Sequence, residues 1–186
     1  VNCFECLNIE HPFIIETLHR EYLKAGSDML QTNTFGANRF KLARNGMEGS
    51  LEKINIAAVE IARRAASTAG RQVFIAGDIG PLGARLAPFG RIQLPEAREI
   101  FAEQGAALVK GGVDLVIIET MTELYETIEA VFAARQVAPG IPVIASMTYT
   151  RDNRTLLGDP PAMGARALKD AGADVIGVNC SGGPLQ

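Results

Sequence analysis

The stretch Ala171-Gly-Ala-Asp-Val-Ile-Gly-Val-Asn-Cys-Ser-Gly-Gly-Pro184 decides the fold. Gly172 can close a helix in the left-handed conformation. The residues from Val175 to Val178 are apolar and partly β-branched, which predicts a strand covered on both faces. Cys180 falls where that strand gives way to Ser181, Gly182, Gly183 and Pro184. In open α/β sheets and in β/α barrels, the carboxyl ends of the strands are where chemistry collects.

Working outward, the same phrase occurs twice more. Ala25-Gly-Ser-Asp28 leads into Met29-Leu-Gln-Thr-Asn-Thr34, and Gly111-Gly-Val-Asp114 leads into Leu115-Val-Ile-Ile-Glu-Thr120. Each time a glycine ends a helix, an aspartate follows two residues later, and an apolar strand ends in polar side chains. Val73-Phe-Ile-Ala-Gly-Asp78 and Ile141-Pro-Val-Ile-Ala-Ser-Met-Thr148 are two further strands without that aspartate. The strand starts recur about every 36 residues, the size of one β/α unit. Eight such units need roughly 290 residues, within the range of a (β/α)8 barrel. The 186 residues supply five strands, so the chain reads either as an open doubly wound sheet or as an incomplete TIM-type barrel lacking its first strand and last units. No Gly-rich dinucleotide turn follows any strand, which favours the barrel.

Composition narrows the partners. A net charge of −3 and a pI near 5.5 give no basic face for nucleic acid. No apolar run approaches the ~20 residues that cross a bilayer, and no secretory signal is present, so a cytoplasmic setting is expected, with no membrane partner. Three cysteines without an export signal predict free thiols. The chain starts at Val1 rather than Met and is read as missing its natural start. Residues 1–186 form one domain, with no linker or low-complexity segment.

Along the chain, residues 1–11 read as irregular. A helix from Pro12 to Gly26 should keep Ile14, Ile15, Leu18 and Tyr22 on one face. A short helix follows Asn38, and longer ones run from about Ser50 to Ala69 and from Pro95 to Lys110. Thr122 should cap the next helix, with Leu124, Ile128, Val131 and Phe132 facing inward. Pro160 and Pro161 open the last helix, and the segment 150–159 reads as a polar, mobile loop.

The polar residues at the strand ends are Thr32, Asn33 and Thr34; Asp78; Glu119 and Thr120; Thr148; and Asn179 and Cys180. No lysine is among them, which argues against Schiff-base chemistry. His11 and His19 lie at and within the first helix, so a histidine-activated nucleophile has little support. The remaining thiol, carboxylates, amides and hydroxyls suit metal or polar-ligand binding. A carboxylate ending an Ile-Ile strand, as Glu119 does, is costly unless it is paired or binds something. Asp78 either serves the same site or caps the turn at Ile79-Gly80-Pro81. Cys180 is either an inert small hydrophobe or a ligand exposed by its glycine neighbours. The loop Gly77-Asp-Ile-Gly-Pro-Leu-Gly83 resembles a phosphate loop superficially, but Pro81 removes an amide donor from it. Cys3-Phe-Glu-Cys6 lacks the second pair or following helix that zinc or redox motifs carry, so its cysteines read as ordinary loop residues. His19 reads as a helix-surface or half-buried residue, and Lys41 and Arg44 as a solvated face.

Taken together, Gln31-Thr-Asn-Thr-Phe-Gly-Ala-Asn38, Ala76-Gly-Asp-Ile-Gly-Pro-Leu-Gly83, Glu119-Thr-Met121 and Gly177-Val-Asn-Cys-Ser181 resemble the homocysteine S-methyltransferase family over essentially the whole chain. Ala37-Asn-Arg-Phe-Lys-Leu42 and Arg85-Leu-Ala-Pro88 are most similar to members fused to a methylenetetrahydrofolate reductase, with the homocysteine module of cobalamin-dependent methionine synthase nearly as close. The resemblance implies a (β/α)8 barrel that holds zinc through three cysteine thiolates. Cys180 matches the first of these, and the other two belong to an adjacent pair that this chain does not contain. Glu119 matches the carboxylate that holds the substrate's ammonium group. Asp78, Asn33, Thr34 and Asn179 are expected beside it as substrate-binding residues. Zinc would lower the homocysteine thiol pKa, and the thiolate would displace the methyl group of a donor, giving methionine. The donor would be methylcobalamin, methyltetrahydrofolate or an S-methylmethionine-like compound. Two alternatives stay open: a magnesium-dependent lyase with Asp78 and Glu119 as oxygen ligands, and an incomplete, non-catalytic module.

Overall fold

The computed structural model describes residues 3–183, so Pro184 of the closing loop lies outside the described residues. In chain order the elements are α1 (Leu7–Glu10), α2 (Pro12–Lys24), β1 (Met29–Gln31), α3 (Arg39–Ala43), a 3-10 turn (Glu48–Ser50) and α4 (Leu51–Ala66). They continue with β2 (Phe74–Ile79), α5 (Leu94–Gly111), β3 (Leu115–Met121), α6 (Leu124–Val137), β4 (Val143–Met147), α7 (Pro161–Ala171) and β5 (Val175–Val178). The five strands form one parallel sheet in the order β1-β2-β3-β4-β5. Each strand pairs with the next one in the chain, which is the winding of a β/α barrel. A doubly wound sheet reverses its strand order at a switch point. No reversal occurs among the described strands, so the open-sheet alternative falls.

Strand register explains the core. Side chains alternate between the two faces of a strand. Leu30, Ile75, Val116, Ile118, Val143 and Ala145 share one buried face and cluster with Val59 and Ala62 of α4, Phe101 and Leu108 of α5, and Val131 and Ala134 of α6. Burying each of the larger side chains contributes about 1.5–3 kcal/mol. The opposite face carries Gln31, Asp78 and Glu119, with Asn179 just past β5.

The repeated Gly-x-Asp phrase is a device for joining units. Gly112 and Gly172 take left-handed conformations, φ 92° and 101°, and end α5 and α7. Two residues on, Asp114 accepts the backbone N–H of Ile75 at 2.7 Å, and Asp174 accepts that of Val143 at 2.7 Å. Each carboxylate thereby fastens its own strand to the preceding one. One arginine completes each joint: Arg63 binds Gly112 O and Asp114, and Arg135 binds Gly172 O and Asp174. Arg71 bridges Ser27 O and Asp28 in the same way, but the Asp28 side chain makes no recorded bond to the sheet.

Several expectations are corrected. β5 is not covered on both faces: it is the last strand of the sheet, and Val175 and Val178 are 51% and 61% exposed. The apolar face of α2 is split: Ile15 is buried and Leu23 packs against the core, while Ile14, Leu18 and Tyr22 are exposed; Leu18 and Tyr22 line a groove of about 420 Å³ beside β1. His19 is buried in that region, where burial lowers its pKa, and its Nε2 has no hydrogen-bond partner. Thr122 is not the cap of α6, because the N-cap position falls one residue later, on Glu123, which makes no side-chain cap hydrogen bond. Phe132 points outward beneath Arg98, 4.7 Å from guanidinium to ring. The segment 150–159 is held by Thr150 N–H to Arg154 O, Thr155 N–H to Asp159 O and Leu156 N–H to Thr122 O.

The amino-terminal stretch is ordered too. Cys3 and Cys6 are disulfide-bonded rather than free, across the turn that leads into α1. Their Cα atoms lie 5.4 Å apart, within disulfide range, because the turn folds Leu7 N–H back onto Phe4 O.

Candidate active site

The candidate site gathers at the carboxyl ends of β2, β3 and β5. Asp78 is 5% exposed, and its carboxyl group faces that of Glu119 from the neighbouring strand. Burial, and then the Glu119 charge, push the Asp78 carboxyl well above the usual range. Its Oδ1 has no hydrogen-bond partner. Asp78 therefore does not cap the turn that follows it.

Glu119 is partly open to solvent. Its Oε1 accepts from Gln31 Nε2 at 3.3 Å and its Oε2 from Asn179 Nδ2 at 2.6 Å. The pairing of β3 with β4 slips between Ile118 and Met121, and Thr120 takes φ 57° there. Such an irregularity re-aims side chains at a sheet rim. Cys180, with φ 50°, is exposed and not disulfide-bonded, and its Sγ lies 3.6 Å from Thr120 Oγ1.

Two other predicted residues are placed elsewhere. The Asn33 side chain donates to Phe4 O at 2.8 Å and to Asn8 Oδ1 at 3.0 Å, tying the segment after β1 to the amino-terminal turn. Thr34 is fully buried, and its hydroxyl donates to Asp78 O at 2.7 Å. Thr32 Oγ1 accepts from Asp78 N, and Gln104 Nε2 donates to Thr34 O and Asp78 O. These groups brace the backbone beneath Asp78. Asp78, Glu119, Asn179 and Cys180 come together, whereas Thr34 braces the backbone of Asp78 and Asn33 is bonded to the amino-terminal turn.

Residues that the sequence reading passed over also contribute. Gln31, the last residue of β1, shares its face with Met29 and reaches Glu119. Gln104 sits in line with Ile100 and Leu108 on the buried stripe of α5; a polar residue inside a 3.6-period apolar stripe was the available signal. Lys41 is not on a solvated face. It lies 4.4 Å from the centre of the Phe35 ring, and burial lowers its pKa against the pull of Glu5, Glu126 and Asp78. Arg44 is likewise engaged, donating to Gly83 O at 2.5 Å.

The fold and site define a β/α-barrel protein that presents an acidic pair and an open thiol at its carboxyl face. The whole chain, residues 1–186, matches the family model for homocysteine S-methyltransferase, and the chain belongs to that family. It is 32% identical to the methionine synthases of Mycobacterium tuberculosis and Mycobacterium leprae over 99% of its own length, and it spans 16% of theirs. Among solved structures it is similar in fold to the homocysteine methyltransferase MmuM of Escherichia coli. Against the apo form the TM-score is 0.73 at 22% identity, covering 95% of this chain and 65% of that one. Against the metallated form it is 0.65 at 18% identity, covering 92% and 81%.

The described residues do not make a metal centre by themselves. No group of three or more His, Cys, Asp or Glu among them is arranged to hold an ion, and Cys180 offers one thiol. No helix among them is long and apolar enough to cross a membrane.

Proposed function

We propose that this chain is the homocysteine-binding part of an enzyme that methylates homocysteine to methionine. One observation carries the reading beyond family membership: the anionic side chain of Glu119 stands at the open rim, one hydrogen-bonded residue away from the exposed thiol of Cys180. A zwitterionic amino acid with a terminal sulfur needs such a pair, an anion for its ammonium group and a sulfur-binding end. Glu119 takes the ammonium group, with the buried Asp78 carboxyl beside it. The substrate sulfur is directed toward Cys180. It attacks the methyl carbon of the donor, so the sulfur–carbon bond forms as the donor's bond to that carbon breaks.

Cys180 would be one of the thiolates that hold a zinc ion, which when bound would lower the pKa of the homocysteine thiol. Methylcobalamin, methyltetrahydrofolate or an S-methylmethionine-like sulfonium supplies the methyl group from another domain or as a second substrate. A fused methylenetetrahydrofolate reductase and a cytoplasmic setting complete the reading. Family membership displaces the magnesium-lyase alternative.

Glu119→Gln in the full-length enzyme tests the reading, because it keeps the size and removes the charge. A charge-assisted hydrogen bond contributes about 1.5–3 kcal/mol, so homocysteine affinity should fall roughly ten- to a hundredfold with zinc content unchanged. Equal affinity in parent and variant refutes the assignment.

A further inference from the structure

The amide of Asn179 has no hydrogen left to offer a ligand. Oδ1 accepts the backbone N–H of Thr120 at 2.9 Å, while Nδ2 donates to Glu119 Oε2 at 2.6 Å and to Thr120 Oγ1 at 2.8 Å. The orientation of the amide is dictated by its partners: a carboxylate only accepts and a backbone N–H only donates. Its backbone is anchored as firmly. Asn179 N–H donates to Met147 O, and Asn179 O accepts from the hydroxyls of Thr148 and Ser181.

Two residues in the left-handed region meet at this amide. Thr120 and Cys180 have φ 57° and 50°, and Thr120 is β-branched, which makes that conformation costly. Such backbone persists only where its surroundings over-determine it, and here the surroundings are the Asn179 amide. In this conformation Thr120 Oγ1 lies 3.6 Å from Cys180 Sγ, and Asn179 Nδ2 lies 3.7 Å from the same sulfur. One rigid unit thus fixes both the carboxylate of Glu119 and the loop that bears Cys180.

We propose that Asn179 and Thr120 form a clasp that holds Glu119 in register with Cys180, and that they act on the amino-acid substrate by positioning rather than by touching it. The inference rests on the proposal that Glu119 takes the substrate ammonium. It replaces direct contact by Asn179 with an indirect role, and it adds Thr120 to the residues that set affinity.

The test is a double-mutant cycle in the full-length enzyme, read as L-methionine affinity by calorimetry. Methionine carries the ammonium and carboxylate groups but no titratable thiol, so a sulfur proton does not enter. Asn179→Ala should weaken methionine binding roughly tenfold in the parent and less than about twofold in the Glu119→Gln background, because interactions that run through one residue are not additive. Thr120→Val should lose a similar factor, and Thr120→Ser, which keeps the hydroxyl, should restore affinity to within about twofold of the parent. Equal losses in both backgrounds overturn the proposal, since a direct contact or a general loosening of the fold is additive. Failure of Thr120→Ser to rescue overturns the role of its hydroxyl. If Glu119→Gln alone leaves methionine affinity unchanged, the ammonium assignment itself falls, an outcome distinct from additivity.

Discussion

Asp78 and Glu119, on adjacent parallel strands, bring their carboxyl groups together at the sheet rim, one buried and one partly open. Two carboxylates cannot both ionise at such separation without cost, and the buried one keeps its proton to higher pH. That stored cost identifies a site built for something other than stability.

Replacing Asp78 by asparagine removes the buried charge at similar size. The Asp78 pKa is raised in the folded state, so its contribution is intact below the unfolded value and is lost as pH rises. Asp78→Asn should therefore raise stability in urea at pH 8, by on the order of 1–2 kcal/mol, and change it little at pH 4. A variant less stable than the parent at pH 8 would contradict this account.

Glu126 gives a second, separate pH effect. It is buried at the start of α6, accepts Leu82 N–H at 2.7 Å, and is pushed up to about 7, chiefly by burial and then by Glu123 against the pull of Lys41. Its folded pKa exceeds the unfolded value, so stability falls as pH rises between about 4.5 and about 7. His19 works in the opposite direction, since burial lowers its pKa and stability is lost as pH falls below the unfolded value. Glu126→Gln keeps the acceptor for Leu82 and removes the charge. Melting curves from pH 5 to 8 should show the variant gaining on the parent as pH rises. Parallel profiles would mean that Glu126 stays ionised throughout.

The three Gly-x-Asp joints should differ in what they contribute. Asp114 ties β3 to β2 through Ile75 N–H, so Asp114→Ala leaves that amide without its carboxylate and should cost about 1–2 kcal/mol. The Asp28 side chain is 84% exposed and pairs with Arg71, so Asp28→Ala should cost less than about 0.5 kcal/mol. Equilibrium unfolding of both variants checks the order. Equal costs would show that the bond to the sheet contributes nothing.

The recurrence of Gly-x-Asp made the βα units and their order legible in the sequence, because helix closure and strand start are local events. The covering of β5 was not legible. An apolar strand reads as buried whether or not a neighbour follows it, and among the described residues Val175 and Val178 are exposed. At the site, Glu119 and Cys180 stood out as polar groups ending apolar strands. Asn33 and Thr34 carry the same local signal, yet they spend their hydrogen bonds on Phe4, Asn8 and Asp78 backbone or side-chain atoms. Partners 25 and 44 residues away decide that, and spacing along the chain does not reveal them. Lys41 was missed for the same reason, since what buries it is Phe35 and the acids of three other segments.

The three cysteines should separate by reactivity. Cys180 is exposed with its sulfur free, whereas Cys3 and Cys6 are joined and buried against Ala37, Leu42 and Ile54. Without reductant, a thiol-specific reagent should modify one residue of the folded chain, and peptide mapping should place it at Cys180. Denaturation alone should expose no further thiol, because the Cys3–Cys6 bond is covalent. Denaturation with reductant should raise the count to three. Cys180→Ser should abolish the first phase and leave two thiols after reduction. Labelling of Cys3 or Cys6 in the unreduced, denatured chain would show that the amino-terminal turn is held by packing and by the Asn33 bond to Phe4 alone, with no disulfide across it.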